Sequence, residues 1–209
     1  MRILGRRFYA RHPSRVARDL LGKVLVRRIG RKILSGRIVE AEAYSSDDPA
    51  SHAFRGRTER NRALFGEVGR AYIYQTHGLN FCLNVTARKG KPAGGVLIRA
   101  VEPLRGAENM KKLRGRTDIR ELARGPGYLG RAMAIDRRLY GTDVTKKGPL
   151  FIADDGALKP KVKRTTRIGV TAARELRRRF IVAGSPFVSG PKTSRIPSRA
   201  AKDRSSRLR

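Results

Sequence analysis

Glu40 and Glu42 stand two residues apart, and Tyr44 follows at the same spacing in the run Arg37-Ile38-Val39-Glu40-Ala41-Glu42-Ala43-Tyr44. Side chains on a strand alternate between its two faces. Val39, Ala41 and Ala43 should therefore point one way, and Ile38, Glu40, Glu42 and Tyr44 the other. Two readings follow for the carboxylates. They pair with some of the many arginines, or one of them, in a groove lined by cations and aromatics, activates a water. Tyr72 and Tyr74 are also two apart, as a half-buried sheet face or as a stacking surface for bases. Asn84 interrupts an apolar run, so it either has buried partners or faces a site. His52 sits in a polar stretch, where a solvated imidazole or an ordinary hydrogen bond is the plain expectation. Cys82 has no activating neighbour in the sequence and reads as core. Gly125-Pro126-Gly127-Tyr128-Leu129-Gly130 has a proline between its first two glycines and reads as a helix entry, not a nucleotide fingerprint.

These residues need elements to hold them. Residues 13–22 read as a short helix that starts at Pro13-Ser14, shares a Val16, Ala17, Leu20 and Leu21 face, and stops at Gly22. Residues 23–26 and 36–39 read as strands joined by a basic turn over 27–32, with the second strand running on to Tyr44. Residues 45–69 form a long polar stretch without a period, a length that in compact domains is usually functional or disordered. Residues 71–74 and 81–85 predict two strands around a bend at Thr76-His77-Gly78, and residues 95–101 a third. Helices are predicted at 103–113 and 126–134, each with Pro near its first turn. Further strands are predicted near 150–152, 167–170 and 180–183. Strands outnumber helices in a mixed order, which defines an α+β fold.

The 209 residues fit one domain or two small ones. Counting Gly among the apolar residues brings the chain near the ordinary globular level, enough for a core. Lys and Arg number 49 against 17 Asp and Glu, a net charge of +32. That charge works against compactness and favours a polyanionic partner. No apolar run reaches membrane-spanning length. The start, Met1-Arg2-Ile3-Leu4-Gly5-Arg6-Arg7, leaves no room for a secretion signal. One Cys and three His exclude a disulfide framework and a Cys-rich zinc site. The expectation is a cytoplasmic protein, nucleoid-associated if prokaryotic. The domain is expected to end near residue 190. Residues 191–209 read as a disordered basic tail, either a solubilising end or an arm that grips phosphates.

In order along the chain, the Glu-Ala-Tyr strand, Arg60-Asn61-Arg62, residues 69–84, Arg99-Ala100-Val101-Glu102-Pro103-Leu104, Gly125-Pro126-Gly127, Arg167-Ile168-Gly169-Val170 and Gly184-Ser185-Pro186 resemble the alkyladenine, or 3-methyladenine, DNA glycosylases of the mammalian type. The resemblance covers roughly residues 10–190. It implies a single mixed domain around a curved, mainly antiparallel sheet with a protruding β-hairpin that probes the DNA minor groove. It implies a monofunctional enzyme of base-excision repair, a monomer acting on double-stranded DNA that contains alkylated purines. Such an enzyme flips an alkylated or deaminated purine into a pocket and hydrolyses its N-glycosidic bond. It leaves an abasic site and uses no metal, cofactor or covalent intermediate. By the same resemblance Glu42 is the general base, and Tyr44, His52, Tyr74 and Asn84 hold the base. Arg99 lies near the water and the sugar-phosphate, and Tyr72 supports the pocket or the backbone contact. Glu40 is a structural partner.

The chain departs from the family pattern at the hairpin tip. His77 stands where the family inserts a Tyr into the gap left by the flipped base, and Asn80 replaces a second aromatic. His77 is expected to be a smaller, pH-dependent wedge. The alternative to an enzyme is a basic, non-catalytic nucleic-acid-binding protein, ribosome-associated or architectural. Glu42 beside Tyr44 separates the two, since a phosphate binder gains nothing from a carboxylate there.

Overall fold

The computed structural model describes residues 1–76, 80–88, 90 and 93–190. Its elements, in chain order, begin with β1 (Arg2–Ile3), α1 (Arg6–Tyr9), α2 (Pro13–Leu20), β2 (Val24–Ile29) and β3 (Lys32–Ser45). After a long loop containing a 3-10 turn at Arg62–Phe65 come β4 (Ala71–Thr76), β5 (Asn80–Thr86) and β6 (Gly94–Arg105). Then follow α3 (Ala107–Arg114), α4 (Pro126–Ala132), β7 (Leu150–Asp154), β8 (Val162–Thr165) and β9 (Arg179–Val182). The nine strands form one sheet, ordered β1-β7-β2-β3-β6-β5-β4, with β9 joining β3 to β8. Every pairing between these strands is antiparallel. This is the α+β architecture expected from the sequence. Among the described residues no helix is long and apolar enough to cross a membrane.

The centre of the sheet is β3. Its first half pairs with β2, and Glu40 to Glu42 pair with β9, while β6 follows the other edge throughout. One sheet face packs on the helices. Ile38, Ala41, Ala43, Ile73, Leu83 and Ile98 join Val16, Ala17 and Leu20 of α2 and Leu129 and Ala132 of α4 in the main core. Gly130 lets α4 lie directly on β5, because a Cβ there would fall 1.9 Å from the Phe81 carbonyl oxygen. The opposite face is closed by loops around a small cluster of Ala53, Leu64, Tyr72 and Ala93.

Four expectations need correction. Ile38 lies in the core with Ala41 and Ala43, not on the carboxylate face, because the β3–β6 register shifts between Ile38 and Glu40. Val39 is the unmatched residue there, and Arg99 is its counterpart on β6, where the register shifts again. Bulges of this kind re-aim side chains and break strict alternation. The helix expected over 103–113 begins only at Ala107, since β6 runs through Pro103 to Arg105. Pro103 pairs opposite Gly36 beside another register shift, a place where a missing N–H is tolerated. Residues 167–170 form no strand, and the strand of that region is Val162–Thr165. The turn over 27–32 shrinks to Gly30 and Arg31, both flanking strands being longer than expected. The short β1 and α1 had no prediction.

Candidate active site

Both carboxylates of β3 project to the face away from the core and are completely buried. Their neighbours are set by strand pairing: Arg99 comes from β6 and Arg179 from β9. Glu40 accepts hydrogen bonds from Arg99 Nε (2.8 Å) and Arg179 Nε (2.6 Å) through Oε1. It also accepts from the Ser189 amide at 2.6 Å and the Ser189 hydroxyl at 2.8 Å. A buried carboxylate with four donors is a fully satisfied structural anion.

Glu42 is held differently. Oε2 accepts from the Tyr44 hydroxyl at 2.8 Å and from Arg99 Nη1 at 3.2 Å, and Oε1 accepts from the Ile168 amide at 2.9 Å. A carboxylate offers roughly four lone-pair positions, so Glu42 keeps one acceptor position open. Burial works to lower the pKa of Arg99, but Glu42 and Glu40 outweigh it and hold the guanidinium firmly protonated. Its remaining nitrogen reaches the Ser189 hydroxyl at 3.3 Å. Arg99 is thus committed to Glu40, Glu42 and Ser189 and is 6% exposed. It orients the carboxylates.

In front of this network lies a cavity of about 290 Å³, close to the lower end of small-molecule pockets. Tyr44, His52, Tyr72, Tyr74 and Asn84 all line it, so the structure gathers five residues from β3, β4, β5 and the long loop. Glu42 does not line the wall. It sits one hydrogen bond behind, through the Tyr44 hydroxyl. His52 and Tyr74 meet edge to face at 4.6 Å, and Tyr72 and Tyr74 lie 5.6 Å apart. These three rings form one wall, and Tyr44 faces the cavity from another side.

Local contacts fix each ring. The Tyr72 hydroxyl bonds His52 Nδ1 at 2.7 Å, so His52 is not the solvated loop imidazole of the plain expectation, although it remains exposed at the rim. Burial, with Arg60 nearby, lowers the His52 pKa, which keeps the ring neutral at pH 7. Tyr72 is pushed up to about 12 by burial, partly offset by Arg60. Burial beside Glu42 raises Tyr44, and burial with the neighbouring Cys82 raises Tyr74. All three phenols stay protonated. Asn84 is buried and donates to the Tyr72 carbonyl at 3.2 Å, which ties the cavity floor to β4. Cys82 is buried but belongs to neither apolar cluster. Its thiol meets the Tyr74 hydroxyl on the site face, and burial raises its pKa, so it is a packing partner of that ring and not a thiolate.

Sequence reading missed the supports. Asn61 donates to the His52 carbonyl at 2.7 Å and the Gly56 carbonyl at 2.9 Å, and accepts from the Thr58 amide at 2.6 Å. That pins the His52 loop. Arg167 stacks 4.8 Å from the Tyr44 ring centroid and pairs with the buried Asp48, which also meets Arg178 at 3.1 Å. The Arg60-Asn61-Arg62 and Arg167-Ile168-Gly169 runs were visible signals, but nothing in their spacing told which partner each would meet. His77 and residues 191–209 lie outside the described residues, so the wedge and the tail have no structural account.

An aromatic cavity backed by a buried carboxylate on a strongly basic chain is the arrangement a nucleic-acid hydrolase needs. The family model of methylpurine-DNA glycosylase matches residues 7–186. Relatives named "Putative 3-methyladenine DNA glycosylase" include one from Koribacter versatilis, 50% identical over 192 residues, covering 90% of this chain and 93% of that protein. One from Mesorhizobium japonicum is 51% identical over 180 residues, covering 85% and 86%. Another, from Carboxydothermus hydrogenoformans, is 44% identical over 188 residues, covering 90% and 98%. The chain belongs to the methylpurine-DNA glycosylase family. It is therefore a hydrolase of base-excision repair whose substrate is DNA.

Proposed function

We propose that the chain, as a monomer, excises alkylated or deaminated purines from duplex DNA by flipping the damaged nucleotide into the cavity between Tyr44 and the His52–Tyr72–Tyr74 wall. The observation that carries the reading is Glu42, a buried carboxylate with one acceptor position open immediately behind the stacking surface. A water takes that position on Oε1, beside the Ile168 amide, and is aimed at the sugar. Water oxygen bonds to C1′ as the C1′–N bond breaks. The base leaves with the electron pair, and the water's proton passes to Glu42. Arg99 fixes the carboxylate, whose charge also stabilises the positive charge growing on the sugar.

A purine alkylated at a ring nitrogen is cationic and leaves readily, so for that substrate one carboxylate suffices. Tyrosine faces prefer a cation by about 0.5–2 kcal/mol per contact. Arg167 behind Tyr44 does not cancel this preference, because Asp48 neutralises it. Neutral His52 adds no repulsion, and Asn84 crowds the exocyclic amine of an undamaged guanine. A damaged base also costs less to unstack. The test is incubation with methylated duplex DNA followed by alkaline cleavage at abasic sites. Native protein should produce strand breaks and Glu42→Gln should not. Equal breakage by both would remove Glu42 from the chemistry.

A further inference from the structure

A second cavity, about 460 Å³, opens between the end of α3 and α4, and Arg114, Arg116, Arg124, Arg131, Tyr128 and Glu121 line it. Four guanidinium groups thus share one hollow with a single carboxylate, and that carboxylate stands 3.9 Å from Arg116 Nε. Of the other buried arginines, Arg27 is held by backbone carbonyls on three sides. Arg99, Arg167 and Arg179 each meet a buried carboxylate. Arg114 is as buried, at 8% exposure, yet among the described residues its hydrogen bond goes from Nε to the Leu122 carbonyl. Its guanidinium lies 4.1 Å from the Tyr128 ring centroid, while Tyr128 keeps half of its surface exposed. Burial first, and then the nearby Arg131, push the Arg114 pKa down, and Tyr128 and Glu121 offset only part of this. Like charges gathered in a partly dry hollow repel, and an anion that enters relieves them.

The location selects the anion. Arg124 donates to the Val188 carbonyl at 2.6 Å, and Ser189, which follows, bonds Glu40 and Arg99. At the other side α4 begins against Asn80 of the β4–β5 hairpin, where a Cβ on Gly127 would come 3.1 Å from the Asn80 side chain. The cavity therefore lies alongside both the carboxylate network and the hairpin. We propose that it is a phosphate-binding site, outside the base cavity, that grips a backbone phosphate of the DNA near the flipped nucleotide. Guanidinium forks suit phosphate oxygens, and the free Tyr128 face packs on the adjoining sugar. The choice of nucleic acid as the source rests on the DNA-glycosylase reading.

Arg116 and Arg131 are exposed, so the double variant R116A/R131A does not threaten the fold. Single-turnover excision from a lesion duplex, titrated with enzyme at several salt concentrations, should show half-saturation rising on the order of tenfold and the log–log salt slope falling by about one. The saturating rate should stay unchanged. Scanning the duplex with single uncharged methylphosphonate linkages should find one position that weakens the native protein and leaves the variant indifferent. The control K159A/K161A removes two charges from a loop outside this cavity. An equal loss in the control, or no discriminating linkage, would overturn the site. Stabilisation of the native protein but not the variant by inorganic pyrophosphate, with DNA binding unchanged, would also overturn it in favour of a free phosphate ligand. Failure of the glycosylase reading would look different: no excision by any form, with duplex binding still measurable by anisotropy.

Discussion

Arginine does two jobs in this molecule. Beneath β3, guanidinium groups are buried against Glu40, Glu42 and Asp48, and each charge has an opposite charge in hydrogen-bond contact. Between α3 and α4, four guanidinium groups face one carboxylate. The first arrangement is complete within the chain and fixes geometry; the second is incomplete without an anion from outside. Net charge alone, at +32, does not separate them. The placement of the acids does: Glu40, Glu42 and Asp48 are buried at the site, and among the described residues Glu121 is the one acid lining the helical hollow.

The sharpest way to break this contrast is to remove an internal acid. Glu40→Ala leaves Arg179 buried without its carboxylate and Arg99 with Glu42 alone, and should cost about 3–5 kcal/mol of stability, read as a large drop in denaturation midpoint. A small drop would mean that water reaches the network and that the two regions differ less than their burial implies. Glu42→Gln is near isosteric and should keep fold and duplex binding within a few-fold while lowering the single-turnover rate by about 10²–10⁴. Tyr74→Ala removes one stacking wall, with an expected loss of about 1–3 kcal/mol in lesion binding, measured on a duplex that carries a non-hydrolysable lesion analogue.

The smallest effect concerns pH. His52 has its pKa lowered by burial and by Arg60, so the folded protein binds this proton less readily than the unfolded chain. The associated stability is present in full above about pH 6.5 and is lost as pH falls through the lower folded value. Protonated His52 would also repel a cationic base. Excision of a methylated purine should therefore decline on the acid side by a few-fold more than excision of neutral hypoxanthine. Parallel pH profiles for the two lesions would show that the imidazole does not face the bound base.

Much of the site could be read from the chain because β-strand alternation is local. Glu40, Glu42 and Tyr44 share a face, as do Tyr72 and Tyr74, and a family resemblance joined them to His52, Asn84 and Arg99. The errors fall where long-range pairing overrides local pattern. Pro103 looks like a helix start, yet it lies in β6 because a register shift opposite Gly36 accommodates it. Ile38 looks like a site-face residue, yet the bulge at Val39 turns it into the core. Arg167 looks like the start of a strand, yet its buried pairing with Asp48 holds it in a loop behind Tyr44.

The amino-acid sequence by itself determined the composition of the site: which acids, rings and cations are present, the local alternation that aligns Glu40, Glu42 and Tyr44, and an excess of positive charge that calls for a polyanion. Tertiary structure alone decided which arginine neutralises which acid, that Glu42 stands behind Tyr44 and not on the cavity wall, and that Arg114 bonds a backbone carbonyl where its buried counterparts at the site bond acids. The physical reason is range. Side-chain alternation acts over two residues, whereas the partners of Glu40 lie 59 and 139 residues away and meet it only when β6 and β9 dock against β3.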